Sequence, residues 1–354
     1  MPIGRLMPEN SASGSAYRAF QDLLTAYRTS RVLMSAHELG IFETLAHGRD
    51  SARGICLKTG MDIPYGSRFL NVLVHLGLLD TQAETFALSE FSKCFLVKQS
   101  AAYQGRTLEF EKALFDAWQS LAQTLRQGTR VYGVTEKSTE DYKASLSLYL
   151  GAMDNAARIR AVELWECVKV GHEGLIVDAG AGSGAFLAEF LGRHQGWRGV
   201  FCDLPDVVLL AMENPLLQAF GNRLAFQPAN LLTEEEPAMA CTQADIVLCS
   251  NLVHCQGKEE TQGLFFRLAA VLAENGILII HDFFTDASHG GALYDLHMML
   301  NTYNGRTYSV SDLCAMLTPF GLTHHSVVNL ASGSTALIFS RKEMGADRFV
   351  DVVR

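Results

Sequence analysis

Polar and apolar positions follow two different rhythms along this chain. From about Leu175 onward, short apolar runs alternate with stretches whose apolar residues recur at helical spacing. The runs at 175–179, 199–203, 224–228, 245–250 and 277–282 read as strands, and amphipathic segments such as 261–273 fill the gaps. Strand and helix in alternation predict a parallel sheet with helices on both faces. Two further runs, 323–329 and 335–340, are joined by a short loop around Ala331 to Ser334. That loop is too short for a parallel crossover, so the pair is expected to close a seven-stranded sheet as an antiparallel hairpin.

The first half lacks this alternation. An amphipathic helix begins at Leu33 and is stopped by Gly40, two further helices are predicted over 51–59 and 65–79, and Thr85 to Ser89 reads as a short strand or wing. Three small helices and a wing describe a winged helix, a fold that often binds DNA. The third helix argues against that use. It carries one arginine, Arg68, and is otherwise largely apolar, whereas a helix that reads a groove needs cationic and amide side chains. A helix of this character buries against protein, so residues 16–104 are expected to form a dimerisation domain. Residues 105–150, with Phe110, Phe115 and Trp118, read as a helical connection, residues 151–354 as a ligand-binding α/β domain, and the polar segment 1–15 as disordered.

Composition narrows the choices. A chain of 354 residues has room for two cores, and a net charge of −9 argues against a nucleic-acid surface. No apolar run is long enough to span a bilayer. The eight cysteines are scattered without a C-x-x-C pair, and Cys202 and Cys249 lie inside apolar strands. A disulfide framework or zinc site is therefore not expected, no metal is called for, and a reducing cytoplasm is the preferred setting.

The chemistry begins where the first strand of the second half ends. Asp178 is followed by Gly180, Gly182 and Gly184, and then by a helical pattern from Ala185. A strand, a glycine turn and a helix N-terminus let a ligand approach bare backbone. The G-x-G-x-G spacing differs from the G-x-G-x-x-G of dinucleotide folds. A carboxylate at the mouth suits a ligand with an ammonium group and would repel a pyrophosphate. S-adenosylmethionine has an ammonium and a sulfonium and no phosphate. The next strand ends in Asp203, about 20 residues on, the usual place for an acid that holds ribose hydroxyls. At the exit of the fourth strand, His254 is expected to point toward the glycine cradle, since ligands of open parallel sheets bind beyond the carboxyl ends of the strands. A neutral imidazole there can take a proton from an acceptor hydroxyl.

Taken together, these motifs resemble the S-adenosylmethionine-dependent O-methyltransferases of the acetylserotonin (hydroxyindole) and caffeate type. The likeness covers roughly residues 17–341. It includes Ala36, Glu38 to Phe42, Leu76 to Leu79, Asp178 to Gly184, Asp203 to Pro205, and Leu252 to His254. It implies a Rossmann-like methyltransferase sheet with an N-terminal winged-helix dimerisation domain, a homodimer, and methyl transfer to a hydroxyl of a small aromatic or polycyclic metabolite. By the same resemblance, Asp178, Gly180 and Gly182 face the methionine part of S-adenosylmethionine, Asp203 and Leu204 the ribose side, and Asn230 and Leu231 the adenine. His254 falls on the catalytic histidine and Asp282 on an acid that orients it. Met153, Met298 and Met299 fall in segments lining the substrate pocket, to which 105–150 adds a wall.

Four positions depart from the family pattern. Asn230 stands for an acid, Ser250 for a lysine near the cofactor, Cys255 for an aspartate, and Thr307 for a glutamate that flanks the histidine. The missing glutamate leaves open an alternative: a member of the same fold that binds the cofactor but methylates another atom, or does other chemistry.

Overall fold

The computed structural model describes residues 14–131, 139–232 and 243–341. Of the segment 1–15, residues 1–13 lie outside the described residues, and Gly14 and Ser15 already belong to a helix. Cys241 and residues 342–354 also lie outside. The chain divides into two compact units, Met1–Ala113 with Lys143–Asn155, and Leu114–Tyr142 with Ala156–Arg354. Helix Thr139–Cys167 therefore contributes to both, running unbroken through residue 151.

The first unit holds helices Gly14–Glu38, Ile41–Thr44, Ala52–Thr59 and Ile63–His75, with a small antiparallel sheet. Its strands are β1 (Asp50–Ser51), β2 (Leu79–Gln82) and β3 (Thr85–Leu88), in the order β1-β3-β2. Ser51 and Asp62 cap the second and third of the small helices by accepting the Gly54 and Tyr65 amides. The first helix starts well before Leu33. Tyr17, Phe20, Leu24 and Tyr27 stay exposed along it, so no buried face marks it in the sequence. The helix expected over 65–79 stops at His75, because Gly77 turns left-handed and the Leu78 amide folds back onto the Leu73 carbonyl. Leu70 and Leu73 from this helix join Ile41, Phe42, Ile55, Leu79 and Phe86 in the core.

The second unit is built on β4 (Glu173–Ala179), β5 (Gly196–Asp203), β6 (Leu224–Pro228), β7 (Ala244–Ser250), β8 (Leu272–Asp282), β9 (Thr323–Asn329) and β10 (Thr335–Ser340). The order is β6-β5-β4-β7-β8-β10-β9. β4 to β8 run parallel, and β10 is antiparallel to both β8 and β9. β8 begins upstream of the run at 277, because an irregularity against β7 lets Leu272 pair with Ala244. Val177, Val247, Leu278, Ile280 and Leu337 are wholly buried between flanking helices. Phe190, from helix Ala185–Arg193, is wedged between Trp165 at 4.6 Å and Trp197 at 5.0 Å. This wedge holds the helix after the glycine turn against β4 and β5. Among the described residues, no helix is long and apolar enough to cross a membrane.

Candidate active site

The carboxyl ends of β4 and β5 form a cradle. Gly180, Gly182 and Gly184 all have positive φ, at 79°, 56° and 76°, where a Cβ is costly. The Gly180 and Ala181 amides bond to the Cys202 carbonyl, which folds the turn over the end of β5. A Cβ on Gly180 would lie 2.9 Å from Leu252, whereas one on Gly182 would meet nothing within 4 Å. Gly182 therefore borders open space, into which a ligand can come.

Two acids face each other across this turn. Asp203 accepts the Gly182 amide on Oδ2 and the Leu204 amide on Oδ1, each at 2.7 Å. Asp178 is 1% exposed, and among the described residues neither of its oxygens has a hydrogen-bond partner. Burial and then the charge of Asp203 push its carboxyl up to about 8, against a partial offset from the Leu187 amide, which is not aligned for a full bond. A buried, unpartnered carboxyl is expensive unless something else completes it. A ligand ammonium would do so and would restore its charge.

Leu204 is exposed at the N-terminus of helix Pro205–Met212. Asn230 and Leu231 follow β6, which the Ala229 amide ties to the Asp203 carbonyl. The Asn230 side chain accepts the Leu232 amide, and Leu231 packs against the sheet core. Leu204 directly follows Asp203, and the Ala229–Asp203 bond brings Asn230 and Leu231 close to the end of β5.

His254 is placed by a kink after β7. Asn251 adopts φ 51°, which asparagine tolerates, and its amide bonds to the His281 carbonyl on β8. The short turn Val253–Cys255 then lays His254 over the end of β8. His254 Nδ1 bonds to Asp282 Oδ1, its backbone amide reaches Asp282 Oδ2 at 3.3 Å, and the Phe283 amide also donates to Oδ1. Burial pulls the imidazole down, but the Asp282 charge pulls it up and prevails, so its pKa stands well above 6.5. The imidazole is held in one orientation with Nε2 outward, 3.5 Å from the Tyr294 hydroxyl.

Ser250 is part of a separate buried chain. Its hydroxyl bonds to His281 Nδ1 at 2.8 Å, and His281 Nε2 bonds to Ser334 at 2.7 Å. Burial, helped by Arg160, lowers the His281 pKa to about 3, so this ring is neutral and structural. Thr307 bonds to Thr285 at 2.9 Å and to Asp295 at 3.2 Å. No carboxylate thus replaces the missing glutamate at that position, although Asp295 stands beside it. Cys255 is half-buried against the Asn251 carbonyl. Met298 is buried and Met299 half-buried on helix Gly291–Asn301, while Met153 is half-buried in the first unit.

Sequence reasoning missed the aromatic wall beside His254. Phe283, Tyr294 and His297 form a stack, with 4.2 Å between the first two rings and 5.4 Å between the last two. Trp118 lies 6.2 Å from His297, and the Arg160 guanidinium lies over Phe283 at 4.9 Å. The spacing of Tyr294, His297 and Met298 on one helical face was a readable signal. Arg160 had none, since its neighbours come from β8 and a distant helix.

The sequence profile of an O-methyltransferase dimerisation domain matches residues 21–98, and that of an O-methyltransferase domain matches residues 118–323. The N,N-dimethyltransferase OxyT of Streptomyces rimosus is 26% identical over 76% of this chain and 79% of its own length. The tetracenomycin polyketide synthesis 8-O-methyltransferase TcmO of Streptomyces glaucescens is 27% identical over 90% and 95%. The crystal structure of human N-acetylserotonin methyltransferase in complex with SAM superposes with a TM-score of 0.77 at 20% identity, covering 94% of this chain and 100% of that one.

Proposed function

Since the chain belongs to the S-adenosylmethionine-dependent O-methyltransferases, with their dimerisation domain at its N-terminal end, we propose that it methylates a hydroxyl of a small aromatic or polycyclic metabolite, as a homodimer, with His254 as general base. The observation that carries this reading is the imidazole anchored on Asp282 with Nε2 turned to a phenolic hydroxyl, that of Tyr294. An acceptor hydroxyl in the same place would be within reach of the base.

The cradle fits the cofactor. Asp178 would take the ammonium, bare Gly180 and Gly182 would admit the methionine chain, and Asp203 would accept the ribose hydroxyls beside Leu204. Asn230 and Leu231 border the adenine, and the Ser250–His281–Ser334 chain stiffens the strand ends behind the base. Bound there, S-adenosylmethionine supplies a methyl group already activated by its sulfonium. His254 receives the acceptor's proton on Nε2 while Asp282 holds Nδ1 and stabilises the imidazolium formed. A positive charge held beside His254 would disfavour that imidazolium before reaction and so favour the unprotonated base. The aromatic wall orients the acceptor and excludes water, so alignment supplies much of the rate. Met298 and Met299 are assigned to the acceptor pocket.

A nitrogen acceptor is the second reading, favoured by the likeness to OxyT and by Thr307 in place of a glutamate. The cofactor assignment is tested by calorimetric titration with S-adenosylhomocysteine and with NAD. The first should bind and the second should not. Asp203→Ala should weaken the first by about 1.5–3 kcal/mol, the range for hydrogen bonds to a charged group. Unaltered affinity would remove Asp203 from the ribose site.

A further inference from the structure

One cation on the acceptor side has no part in the chemistry above. Arg160 projects from the second-unit part of helix Thr139–Cys167, and its guanidinium lies on the Phe283 ring. Phe283 stacks on Tyr294, and Tyr294 meets the base edge-on at 5.1 Å between centroids. The cation and the base are thus separated by two aromatic rings.

Burial lowers the pKa of this guanidinium from its ordinary value, while Tyr294, Asp282 and Glu163 pull the other way. Both carboxylates are near enough to be felt, yet both are committed elsewhere. Asp282 holds His254 and the Phe283 amide. Glu163 accepts the amide and the hydroxyl of Ser332, at 3.1 and 2.6 Å. Neither forms an ion pair with Arg160 among the described residues. A cation drawn out of water costs several kcal/mol unless an anion meets it, and a guanidinium offers a planar fork suited to a carboxylate. Its aromatic seat adds a cation–π contact and leaves the fork's donors without a carboxylate.

We propose that Arg160 binds a carboxylate of the methyl acceptor, whose ring lies along Phe283 and Tyr294 with its reacting hydroxyl toward His254. The proposal rests on the acceptor side assigned above and narrows the substrate class to hydroxylated aromatic acids. The cofactor's own carboxylate is the competing occupant, since Trp165 of the same helix bonds to the Phe186 carbonyl just beyond the glycine turn, and the S-adenosylhomocysteine affinity of Arg160→Gln separates the two.

The test uses the full-length protein saturated with S-adenosylhomocysteine and titrated calorimetrically with 6-hydroxy-2-naphthoate and with 6-hydroxy-2-naphthamide. Wild type should prefer the acid by about tenfold or more, as a charge-assisted hydrogen bond implies. Arg160→Gln should erase the preference, Arg160→Lys should keep part of it, and both should bind S-adenosylhomocysteine as wild type does. Circular dichroism checks that the variants fold. Equal binding of acid and amide by wild type, a preference that survives in Arg160→Gln, or no binding of either probe would overturn the proposal. Loss of S-adenosylhomocysteine affinity in Arg160→Gln would also overturn it, by assigning the residue to the cofactor. Failure of the wild type to bind S-adenosylhomocysteine at all would instead strike the functional reading, and is seen before any acceptor probe is added.

Discussion

Replacing Asp282 with Asn tests the pair on which the proposed role of His254 depends. Asn keeps the shape and an acceptor oxygen for Nδ1 but removes the charge. In the wild type, burial alone would lower the His254 pKa, and the Asp282 carboxylate reverses the sign. A hydrogen bond to a charged group contributes about 1.5–3 kcal/mol, and one pKa unit corresponds to about 1.4 kcal/mol. The His254 midpoint should therefore fall, since the attraction that raised it is removed while burial still opposes the charge. The assay is a proton–carbon NMR titration of the imidazole Cε1–H, assigned with a His254→Gln sample. Stability gives an independent reading. A histidine whose pKa is raised by folding adds stability that is complete below 6.5 and is lost as pH rises through the folded value. The gap in unfolding free energy between wild type and Asp282→Asn should thus be widest near pH 5.5 and shrink at high pH, as urea denaturation would show. A midpoint that does not move, or a gap that does not depend on pH, would refute the pairing as the source of the shift.

The cradle gives two further expectations. Asp178, pushed to about 8, is mostly protonated at pH 7 in the free protein, so binding a ligand ammonium should release up to about one proton. Calorimetry with S-adenosylhomocysteine in buffers of different ionisation enthalpy reads that release, which should vanish at pH 9 and in Asp178→Asn; no release at pH 7 would contradict the assigned contact. Gly182→Ala should cost about 1–2 kcal/mol of stability for its left-handed backbone but remove most S-adenosylhomocysteine affinity, because its Cβ enters open space. Gly180→Ala should cost more stability, since Leu252 stands 2.9 Å from the added carbon. Equal losses of stability in the two variants, by thermal denaturation, would argue against this difference.

Much of the second unit was legible because a parallel sheet covered on both faces writes each strand as a nearly continuous apolar run. Val177, Val247 and Ile280 belong to such runs, and the proposed site residues Asp178, Asp203, His254 and Asp282 sit at or just beyond their polar ends. The first helix was not legible from Gly14, because Tyr17, Phe20 and Tyr27 stay largely exposed and mark no buried face. The aromatic wall and Arg160 were not legible either. Phe283, Tyr294 and Arg160 come from a strand exit and two helices far apart in sequence, and only tertiary packing brings them together. The buried Ser250–His281–Ser334 chain is hidden in the same way, since it joins three strand ends.

The central claim is that His254 accepts the proton of a hydroxyl that takes the methyl group. The most direct measurement is mass spectrometry, with tandem fragmentation, of products formed from trideuteromethyl-labelled S-adenosylmethionine and an extract of the host cell. Wild type is predicted to yield a product labelled on oxygen, which His254→Ala forms at least about 100-fold more slowly while still binding S-adenosylhomocysteine. A label on nitrogen or carbon, no labelled product, or full turnover in His254→Ala would contradict the account.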